Sequence, residues 1–246
     1  MHPDELLAAI RREGAAMASQ LSDDLAAEVP SCPGWTLETL TNHCGRVHRW
    51  ATACVRARAA DQPVAFPAKP PVADHQWFEE GVAELAAALE EEGPESPAWN
   101  FMMVTPAEAR FWFRRQAHET AVHRWDAELA GRGDAEPIEV ELAIDGIDEM
   151  LDVILVRRLQ FVEAEPGPLG GMVHVHATDS PHGEWLVRTE GRELMVGHGH
   201  EKGDAAVRGT ASDLLLWMWG RAPTDRLEVF GDDALVARWH EVLSPP

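Results

Sequence analysis

The apolar residues of this chain change their period once. Up to about residue 160 they recur every three to four positions, and beyond about residue 170 several stretches alternate one by one. The first pattern gives a helix one greasy stripe, and the second gives a strand one greasy face. A chain that carries first one and then the other is expected to be an α+β protein of two domains. The expected boundaries are 1–165 for a helical bundle and 170–246 for a smaller α+β domain, with the Pro/Gly-rich break EAEPGPLGG (163–171) between them. With 246 residues, 45% of them hydrophobic, the chain is long enough for two cores.

PDELLAAIRREGAAMASQLS reads as a first amphipathic helix. In the second, PGWTLETLTNHCGRVHRWATACVRARA, Thr36 is placed to cap the first turn. DHQWFEEGVAELAAALEEEG closes at Gly93 and Pro94. TPAEARFWFRRQAHETAVHRWDAELAGRG is the fourth, expected to start with Thr105 as N-cap and Pro106 behind it, and to end near Gly131. A fifth helical segment runs from Glu139 to about Phe161. Long helices with short links suggest a bundle. After the break, MVHVHATD and GEWLVRTEGRELMVGHG read as strands with a hairpin turn at EGR (190–192). GTASDLLLWMWGR, RLEVFGD and DALVARWHEVL follow as helix, strand and helix.

Charge excludes some partners. The 42 acidic residues against 21 basic ones give a formal net charge of -21, which repels phosphate backbones and anionic membrane surfaces. Neither nucleic acid nor membrane is expected as a partner. No apolar run approaches the roughly 20 residues of a bilayer span. MHPDELLAAI lacks the basic and apolar regions of a secretory leader. The three cysteines, Cys32, Cys44 and Cys54, form no CxxC pair, so a reducing cytoplasm is the expected location. With no tyrosine in the chain, tyrosine catalysis is excluded. GxSxG and P-loop motifs are absent too.

The stretch RRQAHETAVHRWDAEL (114–128) carries the densest chemistry. A helix turns about 100° per residue, so Glu119 and His123 share a face. Asp126, Trp112 and Arg115 fall within about 40° of Glu119 on the same wheel. A polar stripe that includes a tryptophan is not a plain solvent face. A carboxylate and an imidazole one turn apart can chelate a divalent metal, yet the same pair is common as a weak surface contact. A metal needs a third ligand. His43 and His48 flank the apolar face of the second helix on opposite sides, and periodicity does not choose between them. Asp126 reads equally as a partner for the second nitrogen of His123 or as a solvated carboxylate. His118, about 100° from Glu119, is expected toward solvent or behind the ligands. His174 and His176 alternate on one strand, and His198 and His200 on the next, which only suggests a second metal site; exposed strand histidines are the plainer account. Cys44 lies on the apolar face with Cys54 and reads as a buried, inert thiol.

These motifs, taken in order, resemble the mycothiol-dependent maleylpyruvate isomerase family, whose first domain belongs to the DinB-like metal-binding group. VPSCPGWTLETLTNHCGRVHRWA resembles its second-helix signature, and the ligand histidine there matches His43, not His48. RRQAHETAVHRWDAELA resembles the fourth-helix signature, with ligands matching Glu119 and His123. VRGTASDLLLWMWGRAP resembles the C-terminal helix, and the family's arginine matches Arg221. By itself Arg221 reads as a helix-end arginine complementing the dipole.

The resemblance implies an up-down-down-up four-helix bundle followed by a smaller, sterol-carrier-like α/β domain. It implies a divalent metal, usually Zn2+, held by His43, Glu119 and His123, with mycothiol as thiol cofactor. It also implies that Arg221 acts in catalysis and cofactor binding by orienting the substrate or the thiol. Two nitrogens and one oxygen leave a fourth zinc position open, the mark of a catalytic site, and a thiol bound there is a thiolate. Addition to a small-molecule electrophile would make the chain an S-transferase; addition, rotation and elimination would make it a cis-trans isomerase. The LLLWMWGR helix and the loops at 60–75 and 94–104 depart from the isomerase pattern, so the metal site transfers better than the substrate. The alternative is a non-catalytic metal- and small-molecule-binding protein. A monomer or homodimer is expected.

Overall fold

The computed structural model describes residues 1–21, 25–161 and 169–243. The chain divides into two compact units, Met1–Glu136 and Pro137–Pro246. The helical segment that begins at Glu139 therefore lies in the second unit, although its period alone grouped it with the bundle. Residues 163–168, most of the Pro/Gly-rich break, lie outside the described residues.

The first unit holds α1 (Pro3–Ala18), α2 (Leu37–Arg56), α3 (His75–Glu92) and α4 (Arg110–Arg132). Each packs on two others, α1 and α2 both lying against α3 and α4. Ile10, Met17, Leu40, Cys44, Phe78, Leu85, Leu89, Ala117 and Ala121 form the shared core, each 0% exposed. Thr36 caps α2 through its side chain on Thr39 N, as its position suggested. The start of α4 differs from the expectation. Thr105 and Pro106 precede a short bridge between Pro97 and Glu108, and the helix begins at Arg110 without a side-chain cap. The backbone of Ala109 and Arg110 donates to the carbonyls of Ser96 and Pro94, so the N-terminal turn is held by the preceding loop. The end also shifts, because Gly133, not Gly131, takes the left-handed C-cap, with φ 75°.

The helix of the second unit runs as α5 (Val140–Glu149), one turn of π-helix (Met150–Ile154) and α6 (Leu155–Phe161). Glu139 caps α5. The strands β1 (Val173–Ala177), β2 (Glu184–Glu190), β3 (Glu193–His198), β4 (Ala205–Gly209) and β5 (Glu228–Gly231) form one sheet of order β3-β2-β1-β4-β5. Among the described residues, only β1 and β4 pair in parallel. The hairpin β2–β3 turns on Gly191 and Arg192, within the expected EGR, and Gly191 supplies the positive φ of 59°. Val173, Val175, Ala177, Trp185, Val187 and Val207 fill one face. Helices α7 (Ala211–Met218) and α8 (Asp233–Leu243) add Trp217 and Trp239, whose rings lie 5.0 Å apart.

Candidate metal centre

The site begins with a loop. VPSCPGW folds back on itself: Val29 N donates to Trp35 O, Cys32 N to Val29 O, and Trp35 N to Cys32 O. Gly34 makes the turn possible with φ 83°. The loop delivers Trp35 to the start of α2 and sets Ser31 and Cys32 against α4.

From α2, His43 reaches across to α4, where its Nε2 lies 3.1 Å from Glu119 Oε1. His123 Nε2 lies 3.3 Å from the same oxygen. The three donor atoms are mutually within 4.8 Å. Tetrahedral coordination with bonds of ~2.0–2.2 Å separates neighbouring donors by roughly 3.3–3.5 Å. The donor set and its spacing thus fit one divalent ion with little movement.

The surroundings hold these donors in place. His123 Nδ1 bonds Asp126 Oδ2 at 2.8 Å, which leaves Nε2 for the centre. Asp126 is fully buried, and Ser31 Oγ and Cys32 Sγ donate to its two oxygens. Of the two readings of Asp126, the solvated carboxylate is thereby removed. Arg115 Nη2 donates to Glu119 Oε2 at 3.1 Å, leaving Oε1 to face both imidazoles. The ring of Trp35 lies 5.1 Å from that of His43 and 6.2 Å from that of His123, and so walls one side. The His43 side chain is 35% exposed, against 18% for Glu119 and 6% for His123, so the centre opens on the His43 side.

Electrostatics follow from this packing. Burial pushes the Glu119 carboxyl upward, but hydrogen bonds from His123 and His43 and the charges of His123 and Arg115 outweigh it and hold the group well below its usual range. Burial alone would lower His123; hydrogen bonds to Asp126 and Glu119 reverse that and raise it to about 9. His48 behaves oppositely. It is fully buried, its Nε2 is 3.0 Å from Thr120 Oγ1, and burial pushes it down to about 3. Its ring packs against Phe78, centroids 5.5 Å apart, and it is not one of the three converging donors.

Of the two places expected for His118, the solvent-facing one is removed, since the residue is only 1% exposed. The reason is that α4 is buried nearly all round. Arg124, on another side of α4, donates to Glu13 Oε2 at 2.7 Å and Glu128 Oε2 at 2.9 Å, a structural network far from solvent. Cys32, Cys44 and Cys54 are free and buried. Burial, and then the charges of Glu119 and Asp126, push the Cys44 thiol well up, which is inert chemistry. Ser31, Cys32 and Trp35 are site neighbours for which periodicity carried no signal. In the second unit Arg221 follows α7 and donates from Nη1 to Trp219 O at 3.1 Å.

Two family descriptions match the chain. The mycothiol maleylpyruvate isomerase N-terminal domain matches residues 7–128, and the MDMPI C-terminal domain matches residues 141–238. The chain belongs to the mycothiol maleylpyruvate isomerase family. The two matches meet near the division between the compact units. Among solved structures, the crystal structure of the mycothiol-dependent maleylpyruvate isomerase aligns with TM-score 0.65 at 15% identity, covering 100% of this chain and 97% of that one. A histidine-to-alanine mutant of that isomerase aligns with TM-score 0.64 and the same identity and coverage. At such identity the likeness is one of fold, and it bears out the α+β class. No curated protein matches the chain.

Proposed function

We propose that this family member is a divalent-metal-dependent enzyme that activates a thiol, mycothiol, for attack on a small electrophilic molecule. The observation that carries this reading is the convergence of His43 Nε2, His123 Nε2 and Glu119 Oε1, with Asp126 occupying the other nitrogen of His123. The two histidines and Glu119 would hold the metal, preferably zinc given the mixed nitrogen and oxygen donors. When bound, such an ion supplies an open position at which a thiol is carried as thiolate.

The chain's own residues supply orientation. Asp126 fixes the ring of His123, and Arg115 fixes the carboxylate of Glu119 so that one oxygen faces the imidazoles. Trp35 excludes water from one side, while the exposed edge of His43 leaves an approach for the thiol. Arg221 is included on its sequence motif, as a two-pronged partner for an anionic group of substrate or thiol. The S-transferase and cis-trans isomerase outcomes differ in whether bond rotation and elimination of the thiol follow its addition.

Metal analysis of protein purified without chelator tests the centre. The wild type is expected to carry one equivalent of zinc more than His123→Ala, the equivalent held at this centre. Equal, low metal in both would sink the proposal. Mycothiol consumption against a panel of activated alkenes, epoxides and halides tests the reaction, and metal-dependent turnover lost in Glu119→Gln is the expected result.

A further inference from the structure

We infer that the second unit holds a metal site of its own, in which His174, Glu184 and His200 bind one divalent first-row transition ion such as zinc, with His176 at its margin. It is independent of the centre proposed above, since it uses neither its residues nor its helices.

Strand register builds the site. His176 on β1 stands directly opposite Glu184 on β2, so the two share a face, and His174 joins them two residues along β1. His200 arrives by a different route. The chain leaves β3 at one edge of the sheet and must pass β2 and β1 to enter β4. Three strand spacings amount to roughly 14 Å, and the seven Cα steps from His198 to Ala205 reach about 23–25 Å. The crossover is therefore short, with limited slack. Gly199, with φ 137°, turns it out of the strand, and His200 comes down on the histidine face. His198, opposite Trp185 in the ladder, falls on the other face and takes no part.

The donor atoms match an ion. Glu184 Oε2 lies 2.9 Å from His200 Nδ1 and 3.3 Å from His174 Nε2, and these three atoms are mutually within 4.8 Å. His176 Nε2 is 3.7 Å from the other carboxylate oxygen. The three imidazole rings stand 5.5 to 6.1 Å apart. His174 supplies a second, independent sign. It is only 7% exposed, and its buried Nε2 faces Glu184 without the alignment of a hydrogen bond. A buried imidazole nitrogen left in that state is costly, and a cation would satisfy it. A cavity of about 390 Å³ beside His174 and His200, lined also by Lys202 and Phe230, gives an ion and its remaining water ligands access. Joining two strands to the crossover, the ion would act as a clamp on residues 199–204.

The test counts zinc equivalents on chelator-stripped, full-length protein at micromolar free zinc. Two equivalents are expected for the wild type, one for His123→Ala, one for His200→Ala, and none for the double variant. His200 is 78% exposed in its side chain, so its removal leaves the fold intact, and Glu184→Gln provides a second variant with the same expected loss. In His123→Ala, zinc should slow hydrogen exchange across 199–204. An unmetallated His123→Ala protein would overturn the inference, as would a second equivalent that survives both His200→Ala and Glu184→Gln. A single equivalent lost in His200→Ala but kept in His123→Ala would instead support this site and refute the bundle centre.

Discussion

Zinc binding to the bundle centre should be strongly coupled to protons, and the coupling has a calculable size. In the metal-free protein His123 carries a proton up to about pH 9, because Asp126 and Glu119 flank it in a buried site and overcome the cost of burial. A metal needs the neutral ring. At pH 7 the ring lies below its pKa, so expelling the proton costs about 3 kcal/mol, and each unit of pH up to 9 recovers about tenfold in apparent affinity. Glu119 is held well below its usual range and contributes no proton in this window. Between pH 6.5 and 8.5 the apparent Kd should therefore fall about 100-fold. Calorimetry in two buffers of different ionisation enthalpy, run on the His200→Ala variant to isolate this centre, reads both the affinity and the protons released. The same shift gives a stability signature of defined sign. The folded pKa lies above the unfolded value near 6.5, so the stabilisation is full below pH 6.5 and lost as pH rises through 9. It amounts to about 3 kcal/mol in the metal-free protein, and the zinc-loaded protein should lack it. An apparent Kd that is flat from pH 6.5 to 8.5, with no protons released, would refute the reasoning.

Other perturbations have outcomes set by specific contacts. Asp126→Asn removes the carboxylate on His123 Nδ1, so zinc affinity at pH 9 should drop about 10- to 100-fold, and the pH dependence should level off earlier; an unchanged Kd would contradict the role given to Asp126. Arg124→Met leaves Glu13 and Glu128 buried without their shared partner and should cost about 3 kcal/mol in urea denaturation, without altering zinc stoichiometry. Gly45→Ala would drive a methyl into the Trp77 ring and should destabilise the protein by about 1–3 kcal/mol, read as a lower Tm. Cys44 and Cys54, whose thiols burial pushes up, should resist alkylation in the native state and react once urea unfolds the chain.

Much was set by the order of residues alone. The spacing of Glu119 and His123 places them one above the other on any helix, whatever surrounds it. The change of period near residue 165 announced the sheet, because side-chain direction repeats every 3.6 residues in a helix and every two in a strand. The capping role of Thr36 and the hairpin turn at Gly191 are likewise local, since they depend only on near neighbours and backbone freedom. Tertiary structure decided the rest. His43 and His48 are equivalent to a helical wheel, and only the packing of α2 between α3 and α4 turns the first toward Glu119 and buries the second against Phe78. Asp126, beside His123 on the same helix, is held out of solvent by Ser31 and Cys32, which come in from a loop 95 and 94 residues away. The grouping of the segment from Glu139 with the second unit was hidden, since periodicity says which face a helix buries but not what covers it. Glu184 gained its meaning only when register set it opposite His176, and no pattern within a single strand encodes its partner. Local geometry is written in short-range spacing; which distant side chains meet is decided by how the packed elements cover one another's apolar faces.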